Sequence, residues 1–259
     1  MTLLFSANRS NIGRVRHLNE DQSWVGRLAS GVTLAIVADG MGGHQAGDVA
    51  SEMAVNAFRN ALERHADKTE LSEDEGKMLI RQAIGEANEA IYATASSNER
   101  YHNMGTTIVA ALLRDSQAVI GHVGDSRAYR ITKEAIELLT MDHSLVSELM
   151  RSGQLTEEEA ARHPRRNVLT RAVGTDAHVE IDVQALSLAP GDVLLLCSDG
   201  LTNMVSERQM HDTVSSEEMA IEAKADHLIE LALEAGGDDN VTVVLLQADA
   251  GAEREEGSQ

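Results

Sequence analysis

A single cysteine, Cys197, is all that 259 residues supply of that type. One thiol cannot form an internal disulfide, and usage this sparse fits a reducing compartment, so a cytoplasmic protein is expected. Basic residues are also scarce: Lys and Arg number 22 against 42 Asp and Glu, which leaves a formal net charge of -20. So acidic a chain repels a phosphate backbone, which argues against a nucleic-acid partner. An anionic substrate then enters only where bound cations reverse the local field. Long apolar runs are missing, and nothing approaches the ~18 residues of a membrane span. Leu3-Leu4-Phe5 is too short for a signal-peptide core and has no basic leader. There is no HExxH or CxxC spacing, no internal repeat and no stretch resembling an interdomain linker. One domain over 1–248 is expected, acting as a monomer, with the polar, acidic 249–259 a disordered tail.

What the chain does have is aspartate at the ends of apolar runs. Residues 32–38 lead into Asp39-Gly40 and 193–198 into Asp199-Gly200, while 118–124 delivers Asp125 and Asp239 precedes the strand-like 241–246. A lone Asp-Gly is an ordinary turn. Four such acids at strand ends can converge on one cleft while rigid backbone holds them. Converged carboxylates raise one another's pKa unless a cation neutralises them, and an all-oxygen set suits magnesium, manganese or calcium better than zinc. The histidines look scattered. The run Asp39-Gly40-Met41-Gly42-Gly43-His44 lacks the Gly-Lys-Ser/Thr of a phosphate-binding loop, and its glycines let the backbone pass close to a metal, leaving the Gly40 carbonyl free as a ligand.

Two long helices are predicted after the first Asp-Gly. Val49, Met53, Ala57 and Ala61, flanked by Ala50, Ala54 and Phe58, recur at helical spacing over 48–64, and Leu79, Ile80, Ala83, Ile84, Ala87 and Ile91 form a second stripe over 73–95. Strands at 106–113, 118–123 and 126–131 follow, joined by turns too short for crossover helices and therefore read as antiparallel hairpins. Residues 142–161 read as two short helices broken at Ser152-Gly153, and 162–174 as a basic loop, so that 142–174 forms a flap-like insertion over the site. A last helix is predicted over 216–234, stopped by Gly236-Gly237. This order argues for antiparallel sheets covered by helices rather than a repeating βαβ fold.

Arg16-His17-Leu18-Asn19-Glu20-Asp21 has two readings: a solvated run of mixed charge, or Arg16 forked onto a phosphate with Glu20 and Asp21 facing metals. Cys197 lies inside an apolar run and lacks the Arg six residues on that a cysteine-dependent phosphatase uses, since position 203 is Asn203; it reads as buried core. His44, His122 and His143 are candidate proton donors, of which only His44 adjoins a proposed ligand.

In order, eight segments resemble the metal-dependent serine/threonine protein phosphatases of the PP2C (PPM) family, in their bacterial branch. They are 16–21, 38–44, 105–107, Gly124-Asp125-Ser126-Arg127, Asp142-His143-Ser144, 169–174, Ser198-Asp199-Gly200-Leu201 and 238–242, and they span nearly the whole chain. The resemblance implies an α+β fold, a sandwich of two antiparallel β-sheets flanked by α-helices on both outer faces. It further implies that Asp39, Asp199 and Asp239 hold two Mn²⁺ or Mg²⁺ ions, with the Gly40 carbonyl and Glu20 completing the second. Asp125 would help hold a third, weaker ion, Arg16 would grip the substrate phosphate, and Asp21 would orient the groups that touch the metals. A water bridging ions roughly 3.5–4 Å apart would attack phosphorus directly, without a phosphoenzyme. Animal members carry His immediately after this Asp-Gly as a proposed acid. Met41 stands there in this chain, so water is the first candidate donor and His44 the second.

The implied substrates are phosphoserine and phosphothreonine proteins, the targets of a bacterial Ser/Thr kinase. The rivals are a phosphatase dedicated to one regulator of the anti-sigma antagonist type, a binding-only pseudophosphatase, against which the intact acids argue, and a metal-dependent phosphodiesterase, against which the lack of a basic track argues.

Overall fold

The computed structural model describes residues 4–28, 30–42, 46–65 and 72–248. The expected tail at 249–259 lies outside them, as does His44. Eleven strands, seven α-helices and one 3-10 turn at Glu99–Tyr101 occur among the described residues. In chain order they are β1 (Leu4–Asn11), β2 (Asp21–Arg27), β3 (Thr33–Met41), α1 (Gly47–His65), α2 (Glu73–Ser97), β4 (Gly105–Thr106), β5 (Ile108–Arg114), β6 (Gln117–Val123) and β7 (Arg127–Ile131). There follow β8 (Ile136–Leu138), α3 (Leu145–Arg151), α4 (Glu157–Ala161), β9 (Asp182–Ser187), β10 (Val193–Cys197), α5 (Asp199–Thr202), α6 (Glu207–Val214), α7 (Ile221–Glu234) and β11 (Val241–Ala248).

Two antiparallel sheets result, one in the order β1-β11-β10-β7-β8, the other β2-β3-β5-β6-β9 with β4 paired to β3. Strand periodicity distributes the apolar residues between layers. In β3, Ala35 and Val37 face the opposing sheet and meet Leu194, Leu196, Val244 and Leu246. Leu34, Ile36 and Ala38 of the same strand point outward onto α1 and α2. On the far side, Val193, Leu195 and Cys197 of β10 pack beneath α6 and α7. Both outer faces are thus covered by helices, giving the expected α+β sandwich. Fully burying one such aliphatic side chain contributes ~1.5–3 kcal/mol, and the six predicted stripe residues of α2 are all buried. That helix starts sharply because Ser72 and Glu75 cap each other: Ser72 Oγ accepts from the Glu75 N–H, and the Glu75 carboxylate accepts from the Ser72 N–H.

Three expectations are corrected. The strand after 118–123 does not return as its hairpin partner; β6 and β7 belong to different sheets, and Gly124-Asp125-Ser126 carries the chain from one to the other. The link is short, but Gly124 adopts φ +110° and redirects the chain between layers. The strand expected at 106–113 is broken at Thr107, since Gly105 and Thr106 pair with Met41 and Gly40 while Ile108 onward pairs within the main sheet. The last helix begins at Ile221, later than the expected 216, and it is preceded by two short helices, α5 and α6, that were not expected. The two short helices around Ser152-Gly153 are present as α3 and α4.

Candidate metal centre

The interlayer space opens at one end of the sandwich, and the acids gather there because strand parity sends them inward. Asp39 continues the Ala35–Val37 face of β3, so Asp39-Gly40 lies within the strand and not in a turn after it. Its direct antiparallel partner is Asp21, the first residue of β2. From the opposing sheet, Ser198 at the end of β10 donates through Oγ to Asp21 Oδ2 at 2.7 Å and accepts from the Thr242 N–H at 3.0 Å. Asp199, the next residue, opens α5, where Asn203 Nδ2 donates to its Oδ2 at 3.0 Å. Asp239 lies just before β11, and Asp125 lies in the link between sheets.

Asp39, Asp125, Asp199 and Asp239 are half-buried, whereas Asp21 is only 3% exposed. Burial above all, then the charges of Asp21, Asp199, Asp125 and Asp239, holds the Asp39 carboxyl well above its ordinary value. Burial pushes Asp21 and Asp125 up to about 7, with Asp199 adding to both. Asp199 is raised by burial and by Asp239. Asp21 Oδ1 is buried with no hydrogen-bond partner. Such a set of crowded, oxygen-only donors with an orphaned buried oxygen fits hard divalent cations.

Backbone contacts fix these groups. The Asp39 N–H donates to Thr107 Oγ1 at 3.0 Å, and the Asp39 carbonyl accepts from Thr106 Oγ1 at 2.8 Å and from the Thr107 N–H at 2.9 Å. This is why the chain breaks register at Thr107. Asn240 ties the Arg16–Asp21 segment down: its Nδ2 donates to the carbonyls of Ile12 and Leu18, and its Oδ1 accepts from the Glu20 N–H at 2.8 Å. Glycine is required at position 40, where a Cβ would stand 2.0 Å from the Gly47 carbonyl oxygen and 2.7 Å from that of Glu20. The glycine of each Asp-Gly thus serves close chain packing. Arg16 stands on the rim, half-exposed, its Nη2 2.8 Å from Asp239 Oδ2.

A family profile described as Protein phosphatase 2C matches residues 13–233. The chain belongs to the protein phosphatase 2C family. It is 45% identical over 241 residues to the serine/threonine phosphatase stp of Listeria monocytogenes, a match covering 93% of this chain and 94% of that one. The Streptococcus agalactiae serine/threonine phosphatase superposes with a TM-score of 0.89 at 38% identity, covering 95% of this chain and all of the other. The catalytic domain of PstP, solved in complex with two manganese ions, superposes with a TM-score of 0.83 at 34% identity, covering 96% of this chain and 100% of that chain.

Within this member of the phosphatase 2C family, Cys197 is fully buried, its thiol pushed up to about 12 by burial, and it donates to the Arg127 carbonyl. It is no nucleophile. The 142–174 segment walls a cavity of about 550 Å³ that reaches Asp125 and Asp199, and contributes Ser144, Met150, Glu157 and Arg166 to its lining. One constellation leaves no local mark in the sequence. His122, His143 and Asp182 converge, with ligand atoms within 4.8 Å of one another. Alternation along β6 puts His122 on the face of Ala118 and Ile120, but only sheet register reveals Asp182 as its direct partner on β9.

Proposed function

We infer that this phosphatase 2C member hydrolyses phosphoserine and phosphothreonine monoesters in proteins, releasing the alcohol and inorganic phosphate with Mn²⁺ or Mg²⁺ bound. The observation that carries the reading is the meeting of Asp21 and Asp39 from one sheet with Asp199 and Asp239 from the other at a single mouth. Asp39, Asp199 and Asp239 would hold two ions, aided by the Gly40 carbonyl and Glu20, and Asp125 a third, weaker one. Divalent ions held by these residues would supply a water acidic enough to act near neutral pH and positive charge against the phosphoryl oxygens.

The chain's own groups do the rest. Arg16 is paired to Asp239 by a rim contact of the kind worth ~0–1 kcal/mol, so an incoming phosphate readily takes the guanidinium. That grip orients the ester for in-line displacement. Asp21, held by Ser198 and directly opposite Asp39 across the strand pair, would orient the groups that touch the metals. With Met41 after Asp39-Gly40, proton delivery to the departing Ser or Thr oxygen falls to water, with His44 as the second candidate.

Membership of this family and the -20 charge support a phosphoprotein substrate over a nucleic-acid phosphodiester. The natural opponent is a Ser/Thr kinase, and dedication to a single anti-sigma-type regulator would change the substrate without changing the chemistry. No described helix is long and apolar enough to cross a membrane; the single buried Cys197 supports a cytoplasmic setting, and nothing in the reaction needs a second protomer. Titrating Mn²⁺ against turnover of a phosphothreonine peptide, beside a phosphodiester, tests the reading: peptide hydrolysis that disappears on chelation is expected, and full turnover in excess EDTA would refute it.

A further inference from the structure

The group formed by the buried His122 and His143 with the half-exposed Asp182 has ligand-like spacing but the wrong orientation for a shared ion. The two imidazoles stack with centroids 4.6 Å apart and planes 18° apart. An imidazole binds a metal along a lone pair in its own ring plane, at ~2.0–2.1 Å for zinc, and two nearly parallel planes have no common point that close.

Hydrogen bonding gives the cluster a different purpose. His143 holds Gly124 twice: its own N–H donates to the Gly124 carbonyl at 2.9 Å, and its Nδ1 lies 3.1 Å from the Gly124 N–H. A backbone N–H only donates, so Nδ1 must carry a lone pair, and the proton of the neutral ring sits on Nε2. Asp182 Oδ2 receives it at 3.3 Å. Arg171 Nη1 lies 3.3 Å from Asp182 Oδ1 and 3.4 Å from His143 Nε2; with the ring proton on Nε2 the guanidinium has no lone pair to meet there and donates to the carboxylate instead. His122 covers the ring face and donates from Nε2 to the Met141 carbonyl at 2.9 Å. Burial keeps His143 below its ordinary pKa, in the neutral form that can accept.

Beyond Gly124, the chain is clamped again. Arg127 makes a two-pronged contact with Asp142, Nε to Oδ1 at 2.8 Å and Nη2 to Oδ2 at 2.7 Å, and Ser126 Oγ meets Thr107 Oγ1 at 2.7 Å. Asp125 is therefore suspended between two anchors supplied by consecutive residues, Asp142 and His143. Gly124, at φ +110°, is a backbone position with little stiffness of its own.

We propose that His143 is a positioning residue for the phosphatase reaction, its ring held in one tautomer by Asp182 so that Nδ1 fixes the Gly124 N–H and thereby aims the Asp125 carboxylate. The inference rests on the reading of Asp125 as the holder of the third ion. Groups that orient metal-binding residues through hydrogen bonds typically cost 10–100-fold when removed.

The test is a cycle of variants assayed for kcat on a phosphothreonine peptide at saturating Mn²⁺, with melting temperature measured on each. His143→Asn keeps an acceptor near the Nδ1 position and should retain kcat within about threefold, whereas His143→Gln, with its amide displaced toward Nε2, should lose roughly tenfold or more. Asp182→Ala, at the half-exposed edge strand, leaves the core untouched and frees the ring to adopt the other tautomer; it should lower kcat in the same direction. The double variant His143→Gln/Asp125→Ala should be no slower than Asp125→Ala, because the histidine acts only through that aspartate. Multiplicative losses in the double variant, or equal loss in His143→Asn and His143→Gln, would overturn the proposal and leave a packing role. Normal kcat for Asp125→Ala instead removes the reading of Asp125 itself, and is recognised before the histidine variants are compared.

Discussion

Asp21 and Asp39 stand directly opposite each other across the β2–β3 pair, two like charges at a position where cross-strand neighbours normally attract. In the metal-free chain this arrangement opposes folding, and cations relieve it. The metal-free protein should therefore lose stability as pH rises. Asp21 and Asp125 titrate at about 7 in the fold, against ~3.9 for an unfolded aspartate. The folded state holds more protons between those limits, so stability is greatest at the acid end of the window and falls as pH climbs through it. Calorimetry of chelated protein at pH 5.5 and 8 should show the lower melting temperature at pH 8, and saturating Mn²⁺ should reduce the gap. A melting curve indifferent to Mn²⁺ would argue against a preformed site.

Removing one of the repelling charges should separate stability from activity. Asp39→Asn is expected to abolish turnover while raising the metal-free melting temperature by about 2–4 °C per kcal/mol of relieved repulsion, and its response to Mn²⁺ should shrink. Asp199→Asn should likewise remove nearly all turnover. Cys197→Ser should keep most of it, because the thiol is buried and protonated; a folded but inactive Cys197→Ser would reopen the cysteine mechanism.

For Arg16→Ala the expected signature lies in substrate binding. A charged hydrogen bond to phosphate contributes ~1.5–3 kcal/mol, so KM should rise roughly tenfold or more, with a smaller fall in kcat. Steady-state kinetics on one phosphopeptide decides it, and an unchanged KM would return Arg16 to the status of a solvated rim charge.

Asp125→Ala should lower kcat while leaving the two tight ions and the fold in place. Should Asp125 only shape the turn into β7, the variant would melt lower and turn over normally. Metal stoichiometry, kcat and melting temperature on one preparation separate these outcomes.

Residues of the site differ in how plainly the sequence marks them. Asp39 and Asp199 were legible because each ends a run of apolar residues, and the helix stripes were legible because α1 and α2 bury one face along their length. The pairing of Asp21 with Asp39 was not, since register between strands depends on the whole sheet and leaves no local mark. The fate of 124–126 was hidden for a related reason: a short link looks like a hairpin whether the chain turns back on its neighbour or crosses to the other layer. His122, His143 and Asp182 come from a strand, the loop before α3 and another strand. Singly, none differs from a structural polar residue.

The order in which the sandwich is strung along the chain bears on synthesis. β11, the last strand, occupies an inner place between β1 and β10, and Asp239 and Asn240 immediately precede it. A ribosome-bound chain ending before residue 239 lacks one of the gathered acids, the clasp that Asn240 puts on the Arg16–Asp21 segment, and the seam joining the first strand to its sheet. Such a chain still carries Arg16, Asp39, Asp125 and Asp199, but not the full set of acids proposed to hold the ions. On the proposed roles, the complete set of acids and the tie on the Arg16–Asp21 segment come together only once the last strand has been made.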